Sequence, residues 1–200
     1  MAGYLPIPDW VRPAGAPPRR MPPQQAVARL IEGNKRFVAR AGASGNGGGA
    51  PVAAAFPFAA IVACADSVAA PDLLFDQLPG SLFVLRSAGN GIDEGSLGGL
   101  EFAVELMTVS AIMVLGHTNC RIVESAAKAV SGNLALPDHL PALIASLAGL
   151  GRVYGQEAIT ANVVGQVEKL IRVLDRRIRV GELQVVGAVH DLASGEVTLL

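Results

Sequence analysis

No stretch of this chain of 200 residues is apolar for long enough to span a bilayer. The most apolar run, Ala50 to Ala65, is interrupted by Pro51 and Pro57 and is too short. The N-terminus, "MAGYLPIPDWVRPAGAPP", is broken by prolines and has no continuous apolar core of a signal peptide. These absences predict a soluble, cytoplasmic protein without a membrane partner. The chain also lacks a long basic stripe, and its net charge is −1, which argues against nucleic acid as the main partner. The short cluster "DRRIR" at 175–179 reads as the solvated face of a helix. Cysteine is scarce: only Cys64 and Cys120 occur. In a reducing compartment such a pair points to metal or chemistry before a disulfide. No repeat of about 20–50 residues is present. "GNGIDEG" (89–95) is glycine-rich but lacks the G-x-G-x-x-G spacing, so it carries no nucleotide role.

What is present describes one domain with a sizeable core, since about half the residues are apolar (51%). Residues 1–50 divide into a proline-rich arm (1–22), an amphipathic helix and a glycine-rich linker, "AGASGNGGGAP". The helix covers 24–40, with Val27, Leu30, Ile31, Phe37 and Val38 at helical spacing. Residues 51–200 form the main unit. There, "FAAIVACA" (58–65), "SLFVLRS" (81–87), "AIMVLGH" (111–117) and "LQVVGAVHDL" (183–192) are nearly continuous apolar runs of strand length. They predict strands buried on both faces. Helical patterns lie between them at 71–78, 96–107 and 121–131, and two or more helices are expected within 137–180. "ASGE" (193–196) reads as a turn, making "VTLL" a short antiparallel edge strand. The alternation predicts an α/β fold, a mostly parallel central β-sheet flanked by helices, with its chemistry at the carboxyl ends of strands.

Two of those ends carry ligand-type residues. Cys64 and Asp66 close the first strand, where side-chain alternation points both to one side. His117 and Cys120, in "GHTNC", close the third at H-x-x-C spacing. Two thiolates, an imidazole and a carboxylate suit tetrahedral Zn2+, and sulfur ligands disfavour Mg2+ or Ca2+. A lone strand cysteine is usually a small core residue. The coincidence of both cysteines with strand ends and second ligands favours metal, but from spacing alone both readings stand.

The ordered motifs extend further. The chain carries "CADSV", "PDLLFDQLPGSLFVLRSAGN" (71–90), "GGLEFAVE" (98–105) and "GHTNC", with "LIEGNKRFVA" upstream and "NVVGQVEKL" and "GELQVVGAVHDLASGEV" downstream. In this it resembles the β-class carbonic anhydrases from about residue 24 to the C-terminus. The resemblance implies zinc held by Cys64, His117 and Cys120, a homodimer or dimer of dimers that the arm helps to clasp, and reversible hydration of CO2 to bicarbonate with Asp66 as catalytic residue.

Three positions depart from the family pattern. Val68 stands where the family has the arginine of C-x-D-S-R, which holds the aspartate in a bidentate pair. Without that restraint Asp66 is expected to swing onto zinc as a fourth protein ligand, closing the site and lowering activity. Ala55 replaces a glutamine that would orient the substrate. Arg121 replaces the glycine after the second cysteine. It is expected to face solvent at a helix start, the competing idea being that it supplies the guanidinium missing at position 68. His190 reads as a strand histidine, His139 as a surface residue and Arg86 as a partner in a structural or interface ion pair. The departures leave two other functions in view. One is a non-catalytic zinc-stabilised relative; the other is hydrolysis of carbonyl sulfide or carbon disulfide in a more apolar pocket.

Overall fold

Four of the apolar runs pair in parallel. In a computed structural model that describes residues 20–40, 56–132, 138–151 and 153–200, they form β1 (Ala59–Cys64), β2 (Leu82–Ser87), β3 (Ala111–His117) and β4 (Gln184–His190). β5 (Val197–Leu199) adds antiparallel to β4, as the turn at "ASGE" predicts. The strand order is β2-β1-β3-β4-β5. Most of the proline-rich arm, the glycine-rich linker and Ala55 lie outside the described residues.

Alternation along the strands sorts the core into two faces. Ala59, Ile61 and Ala63 of β1 and Ala111, Met113 and Leu115 of β3 pack on one side, against Ala26 and Leu30 of α1 (Pro23–Arg40) and Leu74 of α2 (Pro71–Leu74). Ala60, Val62, Ile112 and Val114 pack on the other. There they meet Leu97, Leu100 and Val104 of α3 (Glu94–Leu106) and Val163 and Leu170 of α6 (Gly155–Val173). Every residue of β1 and β3 is buried, because each strand has a neighbour on both edges and helices on both faces.

β2 departs from the expectation. Only Leu82 is buried and Arg86 is exposed, because β2 is an edge strand with β1 as its one strand neighbour. The helix expected over 71–78 stops at Leu74: Asp76 takes a left-handed φ of 51°, and Gln77 N–H turns back to Asp72 O at 2.8 Å. α3 starts two residues early because Asp93 caps it, its Oδ1 accepting from Ser96 N–H at 2.8 Å. α4 (Arg121–Ser131) matches its expected span, and the region 137–180 contains α5 (Leu140–Ser146), α6 and α7 (Asp175–Arg179). The "DRRIR" cluster is not wholly a solvated face. Arg177 donates to Glu105 Oε1 at 2.7 Å and also contacts Glu182, and these carboxylates raise its pKa above the usual arginine value.

The end of the N-terminal arm is tied to this core. Arg20 Nη2 donates to Val104 O at 2.8 Å and Nη1 to Val109 O at 2.7 Å, so a cation sits where the carbonyls of α3 run out. Asn34 is the main polar tie of α1. It is 3% exposed, its Nδ2 donates to Leu74 O at 3.3 Å and Gly195 O at 3.1 Å, and its Oδ1 accepts from Val197 N–H at 3.0 Å. One amide thus joins α1, α2 and the β4–β5 turn. Asn34→Ala leaves Leu74 O and Val197 N–H buried without this partner and is expected to cost about 2–3 kcal/mol of stability, measured by urea unfolding.

The topology also places the site. From β1 the chain moves outward to β2, then returns past β1 to β3. The crevice between the carboxyl ends of β1 and β3 is therefore the switch point of the sheet, where open α/β sheets bind ligands.

Candidate metal centre

Cys64 is the last residue of β1 and His117 the last of β3. Ala63 pairs with Leu115, so the two strand ends lie side by side. Left-handed Asn119 (φ 58°) turns the chain after β3, and Cys120 becomes the residue preceding α4. The turn is held by Thr118, whose N–H donates to His190 O at 3.0 Å and whose Oγ1 accepts from Leu192 N–H at 3.1 Å. As a result one ligand atom from each of Cys64, His117 and Cys120 falls within 4.8 Å of the others. The two sulfurs are 3.6 Å apart, and both cysteines are free thiols.

All three residues are buried. His117 Nδ1 lies 3.0 Å from Thr118 O, which assigns its proton to that nitrogen and leaves Nε2 with a lone pair. Nε2 is buried and has no nitrogen or oxygen partner among the described residues, with the Cys64 sulfur as its interacting neighbour. An imidazole nitrogen facing two sulfurs is what a soft or borderline cation satisfies. The donor set therefore fits zinc.

The sulfurs are electrostatically distinct. The contact with the Cys120 sulfur lowers the Cys64 pKa against the effect of burial, with help from His117 and the backbone N–H of Asp66, which lies 3.2 Å from Sγ. The same contact and burial push Cys120 above the usual thiol range. Burial disfavours a charged His117, but the Cys64 sulfur outweighs it and leaves the pKa raised. The backbone of Gly89 also contributes to the low Cys64 value. Gly89 has φ 64°, in the turn after β2, and Asn162 of α6 holds it by an Nδ2 bond to its carbonyl at 2.9 Å. Sequence reasoning missed both residues. The available signal was the glycine of "SAGN" directly after a strand end.

Asp66 does not join the converging ligand atoms. Its Oδ2 accepts from the backbone N–H of Arg121 at 3.0 Å, and its Oδ1 accepts from Arg121 Nε at 3.1 Å and Nη2 at 2.5 Å. These contacts hold the carboxyl below the usual aspartate range. The expectation that Arg121 simply faces solvent is corrected: its side chain is 85% exposed yet bends back onto Asp66, across the short gap between the β1 end and the α4 start. Val68 is 89% exposed. Within the chain, Arg86 donates from Nη2 to Cys64 O at 3.2 Å and to Ser67 O, bracing the loop after β1. His190 is a buried strand residue paired in register with His117, and burial lowers its pKa. His139 is exposed just before α5. Beside the clamp lies a largely apolar cavity of about 340 Å³, lined by Asp66, Arg121, Ile122, Ala126, Leu143 and Ile144 among others.

Comparison with known proteins agrees with this geometry. A family model described as carbonic anhydrase matches residues 59–197. Carbonic anhydrase 2 of Mycobacterium tuberculosis is 32% identical over 199 residues, covering 88% of this chain and 92% of its own length. A carbonic anhydrase of Mycolicibacterium smegmatis is 32% identical over 191 residues, covering 88% and 93%. Among solved structures, a Coccomyxa β-carbonic anhydrase in complex with acetazolamide superposes with a TM-score of 0.59 at 24% identity, over 88% of this chain and 82% of that one. A tetrameric β-carbonic anhydrase of Sordaria macrospora gives 0.58 at 21%, over 88% and 92%. At those identities the solved structures share the fold.

The uneven sulfurs make the metal-free centre testable. In reduced, metal-free protein, ultraviolet thiolate absorbance should show one thiol per chain ionising below the usual thiol range and the other above it. Cys120→Ala removes the donor and should move the Cys64 transition upward.

Proposed function

The chain belongs to the β-class carbonic anhydrases, and on that premise we propose that it catalyses the reversible hydration of CO2 to bicarbonate at the centre formed by Cys64, His117 and Cys120. The observation that carries this reading is the buried His117 Nε2 facing two sulfurs, with the Asp66 carboxylate held beside them rather than among them. Cys64, His117 and Cys120 would hold zinc. When bound there, the ion supplies Lewis-acid activation of water near neutral pH.

The remaining work falls to side chains. Asp66 is a carboxylate at neutral pH, and Arg121 lowers its pKa further. It can therefore only accept a hydrogen bond, and it orients the O–H of the reacting water. The Thr118 carbonyl keeps the His117 proton on Nδ1 and so fixes the ring for ligation. Ile122 and Ala126 give the adjoining cavity an apolar wall that suits an uncharged linear substrate. That same wall favours a second reading, hydrolysis of carbonyl sulfide or carbon disulfide.

This reading extends to assembly of at least two chains. It is supported by the exposed Leu73, Leu78 and Phe102, and by the tetrameric state of the Sordaria relative. Light scattering should return a mass of two chains or a multiple at micromolar concentration; a single-chain mass would refute it.

Elemental analysis of protein purified without chelator should give one zinc per chain, lost in Cys120→Ser together with stopped-flow CO2 hydration. Asp66→Asn should keep zinc and lower hydration by about 10–100-fold. Absence of zinc from the unaltered protein would defeat the reading. Turnover of carbonyl sulfide or carbon disulfide without turnover of CO2 would select the second substrate class.

A further inference from the structure

A carboxylate two residues from a cysteine ligand is well placed to become a ligand itself. Asp66 is such a carboxylate, and the loop that carries it offers no guanidinium. Val68 has no donor and points to solvent at 89% exposure, and Arg86 is engaged by the carbonyls of Cys64 and Ser67. The carboxylate is nevertheless held. Three N–H groups of a single residue, Arg121, cover both of its oxygens.

We propose that Arg121 is the positioning residue for Asp66, acting from the first turn of α4 in place of the loop position now filled by Val68, and that it keeps the Cys64–His117–Cys120 centre open on the Asp66 side. The inference rests on the metal-binding reading above. Two features of the contact give it holding power. The guanidinium grips Oδ1 through Nε and Nη2, a fork that lysine cannot reproduce. The backbone N–H of Arg121 grips Oδ2, and this bond also serves the helix. Cys120, at the N-cap of α4, makes no side-chain cap, so Asp66 caps the helix from the end of β1. To reach the metal ligands, the carboxylate would have to give up the fork and uncap α4 together. Arg121 is exposed, so its truncation opens no core cavity and the variants should fold.

Cobalt-substituted protein reads the open position directly, through the change in its visible spectrum on adding azide. The unaltered protein should respond. Arg121→Ala should bind azide at least about tenfold more weakly, because Asp66 takes the position. Arg121→Lys should fall closer to Arg121→Ala than to the unaltered protein. Asp66→Asn in the Arg121→Ala background should restore the response, a rescue that a merely structural arginine would not show. An unresponsive unaltered protein, or an Arg121→Ala response equal to it, would overturn the proposal. Hydration measured on the same samples separates the two claims. An azide-responsive centre without CO2 turnover refutes the proposed function and leaves the positioning role standing. Turnover with an Arg121→Ala response unchanged refutes the positioning role alone. Failure to take up cobalt or zinc refutes both.

Discussion

The parallel pairing of β1 with β3 is the constraint on which the rest depends. It sets Ala63 beside Leu115, so that the two strands end together. Cys64 and His117, more than fifty positions apart in the chain, become neighbours through backbone hydrogen bonds rather than through any affinity of their own. Because β1 and β3 are packed on both faces, a one-residue slip would exchange the side chains that meet the two flanking layers. The stability of the core and the geometry of the centre are therefore one property. Disturbing the packing of Ile61 or Met113 would move the ligands as well as weaken the fold.

Around the centre, neighbouring elements leave each polar group with a defined task. Thr118 orients His117, the Asp66 backbone N–H meets the Cys64 sulfur, and Arg86 braces the loop from below. The Gly89 turn approaches closely enough that a Cβ there would lie 2.8 Å from Leu147 and 3.3 Å from Ile122. Its positive φ favours glycine, and a larger residue would also have to displace these side-chain ends. Among the described residues His117 Nε2 is an exception, as are His190 Nδ1 and Asn90 Nδ2. An unsatisfied buried nitrogen costs stability in an isolated chain, and a metal ion removes that cost at His117.

Asp66 and Arg121 change the meaning of the valine in "CADSV". By position alone, the loss of a donor at 68 reads as release of the carboxylate. In space, the donor is supplied from the other side of the same carboxylate, by a residue that follows a metal-type cysteine rather than one that follows the aspartate. The clamp now joins a strand end to a helix start. Its strength is thereby linked to the integrity of α4, and its exposed guanidinium borders the apolar cavity where small molecules would arrive.

The amino-acid sequence by itself determined the strand set, the mostly parallel α/β class and the pairing of ligand-type residues with strand ends. Apolar runs of strand length and the H-x-x-C spacing are local properties, carried by neighbouring residues. It also determined the ordered motifs that tie the chain to its family. Tertiary structure decided which strand became the exposed edge, because burial of β2 depends on having one strand neighbour rather than two. It decided that Asp76 would end α2 early, and that Arg177 of a basic cluster would turn inward to Glu105. Above all it decided the direction of Arg121. A long flexible side chain at a helix start has no direction in sequence. It acquires one only when the β1–β3 register brings a carboxylate within reach of both its backbone N–H and its guanidinium.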